Sequence, residues 1–121
     1  MPSSSSRRRR STSSVGAAAE RHVAWHYRLR GYRVVARNVR AGGNELDLVV
    51  RRGRRLVICE VKSKSGAGYG DPVEAAGPAK ARRVQRAAEA WLAARPELAE
   101  LELAFEVAAV RRGSVSRVPL L

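Results

Sequence analysis

The sequence lacks most of what would place it in a membrane or outside the cell. Its one cysteine, Cys59, has no partner for an internal disulfide. No apolar run approaches the ~20 residues needed to span a bilayer. Residues 1–14 carry basic charge without the apolar segment of a secretory signal. These absences predict a cytoplasmic protein with no membrane partner. The acid-free, Ser- and Arg-rich start also fits an organelle transit peptide, but it has no amphipathic apolar face. Acid is scarce throughout: 11 Asp and Glu stand against 24 Lys and Arg, a formal net charge of +13. That balance favours a polyanionic partner, with nucleic acid the first candidate. Without Arg7 to Arg10, 20 basic residues still face 11 acidic ones, so the basic character belongs to the folded part as well.

What is present suits one folded unit, since 121 residues with 45% apolar content support a single modest core. Residues 1–14 are almost devoid of apolar side chains and read as a disordered basic arm, because no burial would offset the entropy of ordering them. The domain proper covers 15–121. Ser14 can cap a first helix from about Val15 to Arg30, with Ala19, Val23 and Tyr27 along one stripe and Ala18, Trp25 and Leu29 beside it. Gly31 supplies its left-handed stop. Three strand signals follow, Tyr32 to Arg37, Glu45 to Arg51 and Arg55 to Lys62, the last two joined across Gly53 as a tight hairpin. The stretch from Ser65 to Gly77 reads as a long loop. Pro78 suits the start of a second helix that ends before Pro96, with Val84, Ala88, Trp91 and Leu92 as its core stripe. Leu101 to Val110 and Ser114 to Val118 form a last strand pair around Arg112-Gly113. The whole predicts an α/β fold, a mixed sheet flanked by helices in the order α-β-β-β-α-β.

Two of these strands carry charge where apolar residues are expected. Alternate strand residues share a face, so Glu60 and Lys62 project on the side begun by Leu56 and Ile58, opposite Val57, Cys59 and Val61. Cys59 thus reads as a core residue rather than a nucleophile. In the neighbouring strand Glu45, Asp47 and Val49 share a face, with Leu46, Leu48 and Val50 on the other. Asp47 is an acid in an otherwise apolar strand. A partly buried carboxylate needs a cationic partner or a metal. With these faces aligned, Asp47 and Glu60 converge to roughly 5 Å, the spacing of cross-strand neighbours. Mg²⁺ or Mn²⁺ held by the two carboxylates and water would relieve their repulsion, and Lys62 would stand beside an attacking water. Strand pattern alone leaves a second reading equally open, in which the three residues form a structural ion-pair cluster at a strand edge.

The run NVRAGGNELDLVVRRGRRLVICEVKSK, residues 38–64, narrows the choice. An Asp, a short hairpin and then Glu-x-Lys resemble the core of the PD-(D/E)XK nucleases, whose fold is restriction-endonuclease-like. Together with GAAAE at residues 16–20, GY at 31–32, YG at 69–70 and a Lys in the second helix, the pattern resembles the YraN-like family of bacterial proteins, relatives of archaeal Holliday-junction resolvases. The resemblance implies a metal-dependent endonuclease acting on DNA, and on branched DNA if the resolvase analogy extends that far. It implies that Asp47 and Glu60 bind the metal, that Lys62 serves the nucleophilic water, and that Glu20 completes the acidic set. Arg40, Lys64, Lys80, Arg83 and Arg86 are the candidate nucleic-acid contacts, and Lys80 lies one turn before Val84 on the core stripe. A junction substrate would call for two sites and hence a homodimer.

Some residues depart from that pattern or stand outside it. Asn44 replaces the usual Gly before Glu-Leu-Asp, Lys64 the usual Arg, and Ala104 and Glu106 a usual Arg and Asp. Glu20 also reads as an exposed helix acid near the positive end of the dipole. The basic residues of the second helix also read as a solvated face, and Arg82 as pointing to solvent. Tyr69 could stack on a base or pack over the site. His22 and His26 have the spacing of paired zinc ligands but no third ligand. The alternative function is a nucleic-acid-binding module that keeps the fold and the acids without efficient catalysis.

Overall fold

The structure is a computed structural model, and it describes residues 3–63 and 77–120. Eight elements follow one another: α1 (Ser3–Arg28), β1 (Arg33–Ala41), β2 (Asn44–Arg52), β3 (Arg55–Ser63), α2 (Pro78–Ala93), a 3-10 turn (Pro96–Leu98), β4 (Glu102–Arg111) and β5 (Ser114–Pro119). The five strands form one sheet in sequence order. Every pair is antiparallel except β3 and β4, which α2 joins as a parallel crossover. This is the expected mixed α/β sheet with a helix on each face, consistent with a restriction-endonuclease-like fold.

α1 begins at Ser3 rather than near Val15; no Gly or Pro interrupts the chain between them. It stops where the sequence says it should. Gly31 sits at φ +90°, the Gly31 amide bonds to the Arg28 carbonyl at 3.0 Å, and the Tyr32 amide bonds to the Tyr27 carbonyl at 3.0 Å. These are the two bonds of a Schellman ending, and Tyr27 and Tyr32 make the accompanying apolar contact edge to face at 5.2 Å.

Each helix covers one face of the sheet. Ala19, Val23, Ala24 and Tyr27 of α1 pack on Leu48, Val50, Val57, Cys59, Ala108 and Val110. Ala81, Val84, Ala87, Ala88 and Trp91 of α2 pack on Leu46, Val49, Leu56, Ile58 and Val107. Each fully buried Val, Leu or Ile here contributes roughly 1.5–3 kcal/mol. Two expectations are corrected. Ala24, not Trp25 or Leu29, widens the α1 stripe; Trp25 and Leu29 are 59% and 69% exposed, because the sheet meets α1 on the other flank of Val23. Leu46 joins the α2-side core while Leu48 and Val50 join the α1 side, so strand alternation breaks at Asp47.

The break has visible causes on both sides of β2. Asn38, which lies between the pairs Arg37 with Leu48 and Val39 with Leu46, adopts φ +54°. On the other side, the β2–β3 ladder runs only from Arg52 with Arg55 to Leu48 with Cys59. Beyond it β3 continues alongside β4 as far as Ser63. The sheet therefore opens at Asp47 and Glu60, the next residues out.

Candidate functional site

Where the ladder stops, side chains take over from backbone. The Val61 amide donates to Oδ2 of Asp47 at 2.9 Å, which fastens the carboxyl against β3. Glu60 is 4% exposed, the one buried charged side chain among the described residues. Lys80, in the first turn of α2, donates to Glu60 Oε1 at 3.0 Å. Glu60 Oε2 is buried and has no hydrogen-bond partner among the described residues. Asp47, Glu60, Lys62, Lys80 and Arg83, with Asn44, Glu45 and Val84, line a cavity of about 290 Å³ at the end of the sheet.

The charges in this cavity are held under strain. Burial pushes the Glu60 carboxyl above its ordinary range, and repulsion from Asp47 adds to it, while Lys80 pulls the other way. Burial also raises Asp47, against the Val61 amide and the ammonium groups of Lys80 and Lys62. Two desolvated, mutually repelling carboxyls and one orphaned oxygen make a donor set that suits a hard divalent cation. Among the described residues no group of three or more His, Cys, Asp or Glu side chains is gathered as a metal cage. Such an ion would complete its shell with water.

Glu20 reaches this region from the opposite face. Its carboxyl is raised by burial and further by Asp47 and Glu45, and is lowered by the facing Asn38 amide and by Arg37. The left-handed turn at Asn38 thus serves α1 and β2 at once. In the sequence Asn38 is legible only as the first residue of the run from 38 to 64, without a role; the tolerance of Asn for positive φ is the signal that could have found it. Asn44 and Glu45 also line the cavity; the shared strand face of Glu45 and Asp47 is the signal for Glu45, and Asn44 is marked only by its place before Glu-Leu-Asp.

The remaining candidates spread out. Lys80 and Arg83 enter the cavity, whereas Arg40, Arg82 and Arg86 are exposed and do not line it. Lys64 and Tyr69 lie outside the described residues. Cys59 is fully buried on the α1 side, its thiol pushed up to about 12 by burial, as befits a core residue. His22 is exposed and His26 half-buried, with no cage of ligands around them among the described residues. Glu106 binds Tyr27, Arg117 at 3.0 Å and Arg55 at 3.4 Å, tying α1 to β4 and β5.

Comparison with known families matches residues 19–110 to "Uncharacterised protein family UPF0102". The chain is 42% identical over 99 residues to a UPF0102 protein of Syntrophotalea carbinolica, covering 82% of this chain and 80% of that one. It is 41% identical over 104 residues to a UPF0102 protein of Frankia casuarinae, covering 86% and 87%. A UPF0102 protein of Acidothermus cellulolyticus is 44% identical over 78 residues, 64% of this chain and 59% of that one. No helix of the described residues is long and apolar enough to cross a membrane. The matched segment contains Glu20, Asp47, Glu60 and Lys62, and the chain belongs to the UPF0102, or YraN-like, family.

Proposed function

We propose that the protein is a metal-dependent endonuclease that hydrolyses phosphodiester bonds in DNA. One observation carries this reading: Glu60 is buried beside Asp47 with one oxygen on Lys80 and the other unpartnered among the described residues, in an open cavity that Lys62, Lys80 and Arg83 also line. A purely structural ion pair would satisfy both oxygens. Asp47 and Glu60 would hold Mg²⁺ or Mn²⁺. When bound, such an ion polarises a phosphoryl oxygen and acidifies water.

The chain's own residues do the rest. Lys62 lines the cavity beside the two acids, where its ammonium can orient an attacking water and balance charge on the phosphate. Lys80 and Arg83 supply further positive charge on the α2 side, where they can hold the scissile phosphate or its neighbour. Water attacks phosphorus, one P–O ester bond breaks, and the leaving oxygen takes up a proton. Glu20 does not line this cavity, but it lies close enough to Asp47 for the two carboxyls to repel, and it would add to the acidic field there. Preference for branched DNA, and a homodimer to present two sites to it, follow by analogy with resolvases.

A second reading, DNA binding on the same fold without efficient turnover, draws on Lys80, which already neutralises Glu60. Cleavage of duplex, single-stranded, flap and four-way DNA in Mg²⁺, Mn²⁺ or EDTA separates the two. Metal-dependent products support the enzyme; binding without products on every substrate supports the module.

A further inference from the structure

The exposed flank of α1 carries a feature that the acidic cavity does not use. Trp25 is 59% exposed, a large apolar side chain left open on a small protein. It borders an open groove of about 480 Å³ whose other walls include Arg21, Arg28 and His22 from α1 and Arg37 from β1. Arg21, Arg28 and Arg37 are all exposed, and no carboxylate lines the groove among the described residues. An indole among three guanidinium groups is the pairing that binds unpaired nucleic acid, with the ring stacking on a base and the cations taking the phosphates on either side. The volume lies within the range of small-ligand sites and accommodates a single nucleotide.

The groove approaches the acids through Arg37. Arg37 immediately precedes Asn38 and lies close enough to Glu20 to lower its carboxyl, and Glu20 in turn feels Asp47.

We propose that the α1–β1 groove is a single-stranded nucleic-acid site, in which Trp25 stacks on an unpaired base and Arg21, Arg28 and Arg37 bind its flanking phosphates. This deepens the nuclease reading by naming substrates with an unpaired arm, and it rests on nucleic acid being the partner.

The chain offers a direct test, because its other tryptophan, Trp91, is buried on the core face of α2. Full-length protein is titrated with an oligo-dT strand while tryptophan emission is followed. The oligonucleotide should quench emission, and Trp25→Ala should abolish the quenching and weaken oligo-dT binding about tenfold, the scale of one stacked base. Trp25→Phe should retain most of the affinity, and Arg37→Glu should lose affinity while Trp25 stays in place. Trp25 is exposed, so the variants should keep the parent circular dichroism and melting temperature. Unchanged oligo-dT affinity in folded Trp25→Ala would overturn the proposal, as would quenching by anionic lipid vesicles but not by oligo-dT. Metal-dependent duplex cleavage is measured on the same samples. Cleavage without quenching sinks the groove and leaves the nuclease; quenching without cleavage on any substrate does the reverse.

Discussion

The Val61 backbone amide donates to Asp47 Oδ2 at 2.9 Å, in the place where the next rung of the β2–β3 ladder would form. The acid is thereby built into the sheet and not appended to it. Where the strands part, Lys80 reaches Glu60 Oε1, and Glu60 Oε2 has no partner among the described residues.

Asp47→Asn, Glu60→Gln and Lys62→Ala should each reduce metal-dependent cleavage by at least ~100-fold, the usual effect of losing a group that acts on the proton or the charge at the reacting atoms. Affinity for DNA should largely survive. Gel cleavage assays alongside circular dichroism check this; folded variants that cleave at the parent rate would remove these residues from the mechanism.

Added Mg²⁺ or Mn²⁺ should raise the melting temperature with the logarithm of its concentration, since a ligand of the folded state alone stabilises it by about 2.7 kcal/mol at a hundred times Kd. Glu60→Gln and Asp47→Asn should lose that response. Calorimetric scans without nucleic acid across millimolar metal would show it, and a parent that ignores both ions would contradict the metal site.

Burial raises the folded-state pKa of both Asp47 and Glu60, so the folded protein holds these protons more tightly than the unfolded chain. The stability they contribute is complete below the ordinary carboxylate range, about 4, and is lost as pH rises through their elevated values. Metal-free parent should therefore melt progressively lower relative to Glu60→Gln as pH increases from about 4 toward 7. A gap that stays constant over that window would mean these carboxyls are not strained.

Nucleic-acid affinity should fall steeply with salt, because Lys and Arg release condensed counterions from phosphates. Deleting residues 1–13, which removes Arg7 to Arg10, should flatten the slope by up to about 0.9 for every duplex phosphate that this arm neutralises. Fluorescence anisotropy between low and physiological salt measures both slopes; equal slopes would assign phosphate binding to the folded surface alone.

Gly42→Ala should destabilise the fold by about 1–2 kcal/mol or more, from the left-handed backbone alone. Gly42 sits at φ +57°, and an added Cβ would lie 2.9 Å from the Arg86 carbonyl of α2. Relief of that clash would shift α2 and loosen Lys80 from Glu60, so denaturant midpoint and cleavage rate should fall together.

Much of this arrangement is local and legible residue by residue. Period-two runs mark β2 and β3, Gly31 marks the end of α1, Pro78 the start of α2, and Glu60 and Lys62 stand out because charge interrupts the face begun by Leu56 and Ile58. Such signals survive in sequence because they follow from the backbone geometry of one element at a time. Other features depend on how elements cross. Lys80 meets Glu60 only because α2 packs across β1 and β2 on the face that Glu60 shares, and Ala24 rather than Trp25 is buried only because of the side from which the sheet meets α1. The left-handed Asn38, the broken alternation at Leu46 and the reach of Glu20 from the opposite face arise around Asp47, where the β2–β3 ladder ends. No single-element periodicity encodes them, because register and crossing angle are settled by packing between residues far apart in the chain.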